Sequence, residues 1–148
     1  MKKVIAAASF GGHWIQLQRL KPLFDRYDTT YISTRPDAGA SLLPNRYMTV
    51  IDAASDSKFR LALLFLQALI ITIRVRPDVV ISTGAAPGLA FILWGRVFGA
   101  KTIWIDSIAN AEKMSKSGMI AKHWSTMWLS QWKDVADKWG ANYFGKVI

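Results

Sequence analysis

The sequence predicts a doubly wound α/β fold, a parallel sheet covered by helices on both faces. Three observations predict it. Short apolar runs alternate with helical patterns along the whole chain; most runs are continuously apolar, as strands buried on both faces are; and glycines and prolines punctuate the boundaries. No repeat, low-complexity tract or linker-like stretch divides the 148 residues, so a single domain over 1–148 is expected.

Residues 4–8 read as the first buried strand, followed by a helix over 14–24 and strands at 29–33 and 48–51. A long helix over Lys58–Val75 ends at Arg76-Pro77, because proline disfavours helical geometry in the residue before it. Residues 78–82 then read as a central strand, and 87–98 as a helix with Pro87 in its first turn and Gly99 at its stop. A strand at 102–105, a helix over 118–124 capped by Ser117, and strands at 126–130 and 142–147 complete the pattern. Trp124, Trp128 and Trp132 are spaced by four, as a helical stripe would be, but the strand reading of 126–130 is preferred and scatters these rings.

Composition narrows the function classes. Nineteen basic against ten acidic residues give a net charge of +9, which favours nucleic acid, anionic lipid or phosphorylated ligands. The charges form no dense basic run, which argues against nucleic acid. No cysteine is present, which removes disulfides, thiolate metal sites and thiol nucleophiles. Met1-Lys-Lys3 before an apolar run imitates a secretory signal, yet Gly11-Gly12 interrupts it well short of the ~7 to 15 residues such a core needs. Residues 59–73 are apolar nearly all round, but at ~1.5 Å per residue they fall short of a ~30 Å bilayer core. Phe59, Arg60, Leu64, Arg74 and Arg76 are therefore expected to contact a membrane surface, or a protein partner, rather than cross a bilayer.

Ligands of doubly wound sheets bind beyond the carboxyl ends of the strands, where strand order reverses. Two loops there carry suitable chemistry, Ser9-Phe-Gly-Gly-His13 and Ser82-Thr-Gly-Ala-Ala-Pro-Gly88. Each sets glycines and hydroxyls before a helix N-terminus, where free N–H groups and the helix dipole favour a diphosphate. With strand order 3-2-1-4-5 the loops face each other. His13 is then either a general base toward a substrate hydroxyl, since imidazole titrates near neutral pH, or a phosphate contact. A nicotinamide fold fits less well. G-x-G-x-x-G is absent after the first strand, and the second strand ends in Ser33-Thr-Arg35, which suits only the phosphate of NADP.

Several motifs in order carry a family resemblance. They are residues 4–13, Arg76-Pro-Asp-Val-Val-Ile-Ser-Thr-Gly84 with Pro87-Gly88, Ile105-Asp-Ser-Ile-Ala-Asn110, Met114-Ser-Lys-Ser-Gly118, Ser130-Gln-Trp132 and Tyr143-Phe-Gly-Lys-Val147. Together they resemble the membrane-anchoring subunit of the two-part UDP-GlcNAc transferase of dolichol-linked oligosaccharide synthesis. They resemble still more its bacterial exopolysaccharide relatives of the PssD type, and more distantly the N-terminal domain of MurG. The resemblance implies a Rossmann-like N-terminal half of a GT-B fold, binding a polyprenyl-diphosphate-linked saccharide as acceptor. A separate UDP-sugar-binding catalytic subunit would supply the other half, at the cytoplasmic face of the membrane. Read as ending on a seventh strand, the chain has no room for that second half.

The resemblance implies a role for Ser9, Gly11, Gly12, Thr83, Gly84, Gly88, Asp106 and Ser107 in holding the acceptor or its diphosphate, with His13 as base. Asp106-Ser107 stands where relatives commonly carry Glu-Ser. The eukaryotic subunit has an N-terminal transmembrane helix with no counterpart here, so attachment would rest on the apolar helix, the tryptophans and the basic residues. Neither metal nor cofactor is expected, because sites of this type stabilise the leaving diphosphate with helix dipoles and hydrogen-bond donors. A pure membrane adaptor for a catalytic partner and an NADP-binding reductase-like domain are the alternatives.

Overall fold

Strands β1 (Lys3–Ala8), β2 (Asp28–Ser33), β3 (Arg46–Thr49), β4 (Val79–Gly84), β5 (Lys101–Ile105) and β6 (Met127–Leu129) form one sheet in the order β3-β2-β1-β4-β5-β6. Every neighbouring pair is parallel. The computed structural model describes residues 1–42, 45–54 and 56–147. The order reverses between β1 and β4, so the loops that follow these two strands stand side by side. Their register slips between Ala7 and Ala8, a bulge at the carboxyl end of the pair.

Strand alternation splits the core into two layers. Ile5 and Ala7 of β1 face the layer built with Leu64, Ala68, Phe91, Ile92, Trp104 and Trp128. Val4, Ala6 and Ala8 face the opposite layer, with Trp14, Leu17, Phe24, Tyr31 and Leu42. The first layer is covered by α3 (Lys58–Val75), α4 (Ala85–Val97), α5 (Lys116–Ala121) and α6 (Lys133–Trp139); the second by α1 (Gly12–Gln18), α2 (Lys21–Phe24) and a 3₁₀ turn over Pro36–Leu42.

Helix α3 has the expected bounds, with Ser57 as its N-cap and Arg76 in the left-handed conformation at its end. Other elements correct the sequence reading. The helix over 14–24 is broken into α1 and α2, because Pro22 lacks the N–H that a continuing helix needs and instead opens the second turn. Ser115, not Ser117, caps α5, its Oγ accepting the Gly118 N–H at 2.9 Å. The seventh strand over 142–147 does not form: Gly140 reverses the chain in the left-handed region, and among the described residues a single bridge, Leu129 to Asn142, is all the pairing that follows. Helix α6 was not anticipated, since only Val135 and Ala136 of its seven residues are buried. Trp128 lies in β6 while Trp124 and Trp132 lie outside it, as the strand reading required.

Candidate functional site

At the switch point the chain leaves β1 through Ser9 and Phe10 and enters α1 at Gly11, whose φ of +107 admits glycine readily. A side chain at Gly11 or Gly12 would meet only open space, so both present bare backbone to the crevice. On the neighbouring strand β4 ends at Gly84, with φ +144, and Ala85 follows in the left-handed region at φ +65. That pair of unusual conformations turns the chain at once into α4, and Ala85 is held there at a cost of about 1 to 2 kcal/mol.

The two loops are stitched together by His13 and Thr83. The Thr83 hydroxyl donates to the His13 carbonyl at 2.6 Å, and His13 Nδ1 lies 3.0 Å from the Thr83 carbonyl. A carbonyl can only accept, so Nδ1 carries the proton, and in the neutral imidazole the lone pair is on Nε2. The imidazole lies against Gly84 so closely that a Cβ there would overlap the ring. His13 is thus an oriented imidazole, half-buried, at the reversal of strand order. Gly88 serves a different purpose from the one expected of it: it is buried, and a Cβ would collide with Ser82 of β4, so its role is to let α4 lie on the sheet.

Asp106 and Ser107 follow β5, but the structure spends them internally. Asp106 is 1% exposed, and its carboxylate accepts four hydrogen bonds, from Trp104 Nε1, Ser115 Oγ, Ser115 N and Asn110 Nδ2, at 2.6 to 3.1 Å. Its lone pairs are thus largely taken up within the chain, which replaces the acceptor role expected of Asp106 with the task of organising the 106–118 loop. Ser107 Oγ likewise accepts from Gln16 Nε2 at 3.2 Å and from Ala109 N at 3.1 Å.

Sequence reasoning missed Gln16 and Gln131, both buried amides behind the crevice. Ile15 is 55% exposed, whereas Gln16 beside it is buried. Ser130-Gln-Trp132, a motif of the resemblance, was the available signal. Helix α1 is seated by Trp14, packed edge-on against Tyr31 and Tyr47. Burial, with a smaller contribution from Asp25, pushes the Tyr31 phenol up to about 12, and its hydroxyl finds no hydrogen-bond partner among the described residues. Burial also raises Tyr47, whose hydroxyl donates to the Arg35 carbonyl. Arg35, the residue a nicotinamide fold would turn to a phosphate, is bidentate with Asp37 and stacked over the Phe10 ring.

On α3, Leu64 is fully buried in the core, which corrects its assignment to a membrane surface. Phe59, Leu63, Leu66, Ile70 and Ile73 are exposed instead, spaced four, three, four and three residues apart along one side of the helix. Arg74 and Arg76 are exposed at its end, while the exposed Arg60 guanidinium holds the Asp52 carbonyl at 2.7 and 3.0 Å. Among the described residues no helix is long and apolar enough to cross a membrane, and no three acidic or histidine side chains gather as a metal site would require.

Residues 34–147 match the family model described as "Oligosaccharide biosynthesis protein Alg14 like". The chain is 27% identical over 79 residues to the UDP-N-acetylglucosamine transferase subunit ALG14 of Eremothecium gossypii, covering 49% of this chain and 35% of that protein. It is 28% identical over 88 residues to the subunit of the same name from Mus musculus, covering 53% and 39%. The matches thus span little more than a third of these relatives' own length. Among solved structures, MurG of Acinetobacter baumannii superposes with a TM-score of 0.74 at 13% identity, over 91% of this chain and 43% of that one. UDP-N-acetylglucosamine 2-epimerase of Rickettsia bellii superposes with a TM-score of 0.73 at 13% identity, over 96% and 43%. These likenesses establish the fold.

Proposed function

This chain belongs to the Alg14-like family, and from that premise we propose that it is the acceptor-side, membrane-recruiting subunit of a two-component glycosyltransferase. In this reading residues 1–148 act as one domain, the N-terminal half of a GT-B enzyme, and a second chain binds the UDP-sugar and closes the crevice. The partner supplies the sugar, of the N-acetylglucosamine or glucuronic acid type, and the acceptor is a polyprenyl-diphosphate-linked saccharide destined for a polysaccharide. Without the partner the chain transfers nothing.

The observation that carries the reading is the oriented imidazole. Among the described residues His13 Nε2 has no partner while Nδ1 is tied to Thr83, at the meeting of two glycine loops that end in helix N-termini. As the acceptor hydroxyl attacks the anomeric carbon, its proton passes to Nε2, the new C–O bond forms, and the bond to the UDP oxygen breaks with inversion. The backbone of Gly11, Gly12 and Gly84, with Ser9 and the buried Thr83 behind them, shapes the acceptor side; the bare N–H groups favour its diphosphate. In a complex reconstituted with the UDP-sugar-binding chain, His13→Ala is expected to lower turnover by ~100-fold or more while partner binding persists. Unchanged turnover would leave an adaptor role as the better reading.

The membrane surface in this proposal is the outer side of α3, at the cytoplasmic face. Phe59, Leu66, Ile70 and Ile73 form an apolar stripe flanked by Lys58, Arg74 and Arg76, and none of these three cations is ion-paired among the described residues. Apolar insertion with basic flanks suits an anionic bilayer. Flotation with vesicles containing phosphatidylglycerol should retain the wild-type chain and lose the Leu66→Glu/Ile70→Glu variant. Equal retention of both would remove α3 as the docking element.

A further inference from the structure

Helix α1 carries His13 but has little of its own to hold it in place. It spans seven residues, has no side-chain cap and no acidic residue in its first turn, and so short a helix is marginal without tertiary anchors. Trp14 and Leu17 seat one side of it in the core. The other side is fixed by amides. Gln16 Oε1 accepts from Ile108 N at 3.2 Å and from Gln131 Nε2 at 2.7 Å, while Gln16 Nε2 donates to Ser107. Gln131, 1% exposed, also donates to the Asp106 carbonyl at 2.9 Å and accepts the Val147 N–H at 2.8 Å. One turn along α1, Arg19 donates to the Val147 carbonyl at 3.2 Å.

We infer that Gln131 is a positioning residue, the centre of a buried relay that ties segment 142–147 and the loop after β5 to Gln16, and so sets the placement of His13 against Thr83. Buried amides are costly unless paired, and here the two satisfy each other and four backbone groups or hydroxyls besides. An apolar pair would fill the same space without fixing where α1 sits along its axis. Gln16 lies three residues, about one turn, after His13, so a shift of α1 moves the imidazole off the Thr83 carbonyl.

The test reads the His13 tautomer in the isolated chain by ring ¹⁵N NMR; the chain has two histidines, and His123→Gln identifies the signals. Wild type should show the Nδ1–H form. Gln131→Met, of similar length but without the amide, should bring in the Nε2–H form. Leu64→Ala, which lowers stability from the opposite layer of the core, should not. Val147→Pro removes the N–H that Gln131 accepts while leaving Gln131 in place, and carries the same test should Gln131→Met fail to fold. An unchanged tautomer in a folded Gln131→Met or Val147→Pro chain overturns the relay. A kinetic arm rests on the split-transferase reading: in the complex Gln131→Met should lower kcat ~10-fold or more with the donor KM unchanged, since small misplacements of reacting groups are costly. Absence of turnover even in the wild-type complex would count against that reading alone, because the tautomer needs no activity.

Discussion

The loops after β4 and β5 look alike in the sequence, each a strand running into small polar residues before a helix, yet the structure uses them in opposite ways. The loop after β4, joined to that after β1, keeps its functional group open. Among the described residues nothing bonds His13 Nε2 or fills the space before Gly11 and Gly12, and Ala85 sits in a strained conformation. The loop after β5 is closed on itself, with the Asp106 carboxylate saturated by four donors. What separates the open loop from the closed one is whether the chain supplies its own partners.

Asp106→Ala tests the closed loop and should have the largest effect. It leaves Trp104 Nε1, Asn110 and Ser115 without their acceptor, and stability should fall by about 3 kcal/mol or more, read from denaturant unfolding. A loss below ~1 kcal/mol would mean that the loop tolerates an empty centre. Gly84→Ala tests the open loop. The added Cβ displaces the imidazole and the backbone resists it at φ +144, so turnover of the complex should approach that of His13→Ala, ~100-fold down. Near-normal turnover would show that His13 need not lie against Gly84.

The smallest effect is expected at Tyr31, beneath α1 on the open side. Tyr31→Phe removes a hydroxyl without a partner among the described residues and should change stability at pH 7 by under ~1 kcal/mol. The difference emerges only in alkali. With its pKa raised to about 12 in the fold against 10.0 in the unfolded chain, Tyr31 favours folding fully below pH 10. That contribution is lost between pH 10 and about 12, as the unfolded chain ionises first. Wild type should therefore lose stability over this window more steeply than Tyr31→Phe in pH-dependent thermal melts, and equal slopes would contradict the burial of the phenol.

Much of the architecture was legible. Short apolar runs located all six strands, and the helical pattern over Lys58–Val75 with its stop at Arg76-Pro77 matched the observed ends of α3. Misreadings clustered where short elements depend on distant partners. Segment 142–147 has strand-like residues but meets β6 at Asn142, while its end at Val147 is held by Gln131 and Arg19. The burial of Gln16 rests on two hydrogen bonds from residues 92 and 115 positions away, which no local pattern contains. The site was legible in part: His13, Thr83 and Gly84 do meet, while Gly88 and Asp106 are consumed by packing and internal hydrogen bonding.

By itself the sequence determined the alternation of elements, the positive charge, the two glycine loops and the identity of the histidine between them. These follow from local periodicity and from residue chemistry, which any short window contains. Only the tertiary structure decided which loop stays open, which proton His13 carries, which side of α3 faces out and where α1 is anchored. Each of those depends on partners brought together from far along the chain, and a polar side chain announces its capacity for hydrogen bonds without announcing who will fill it.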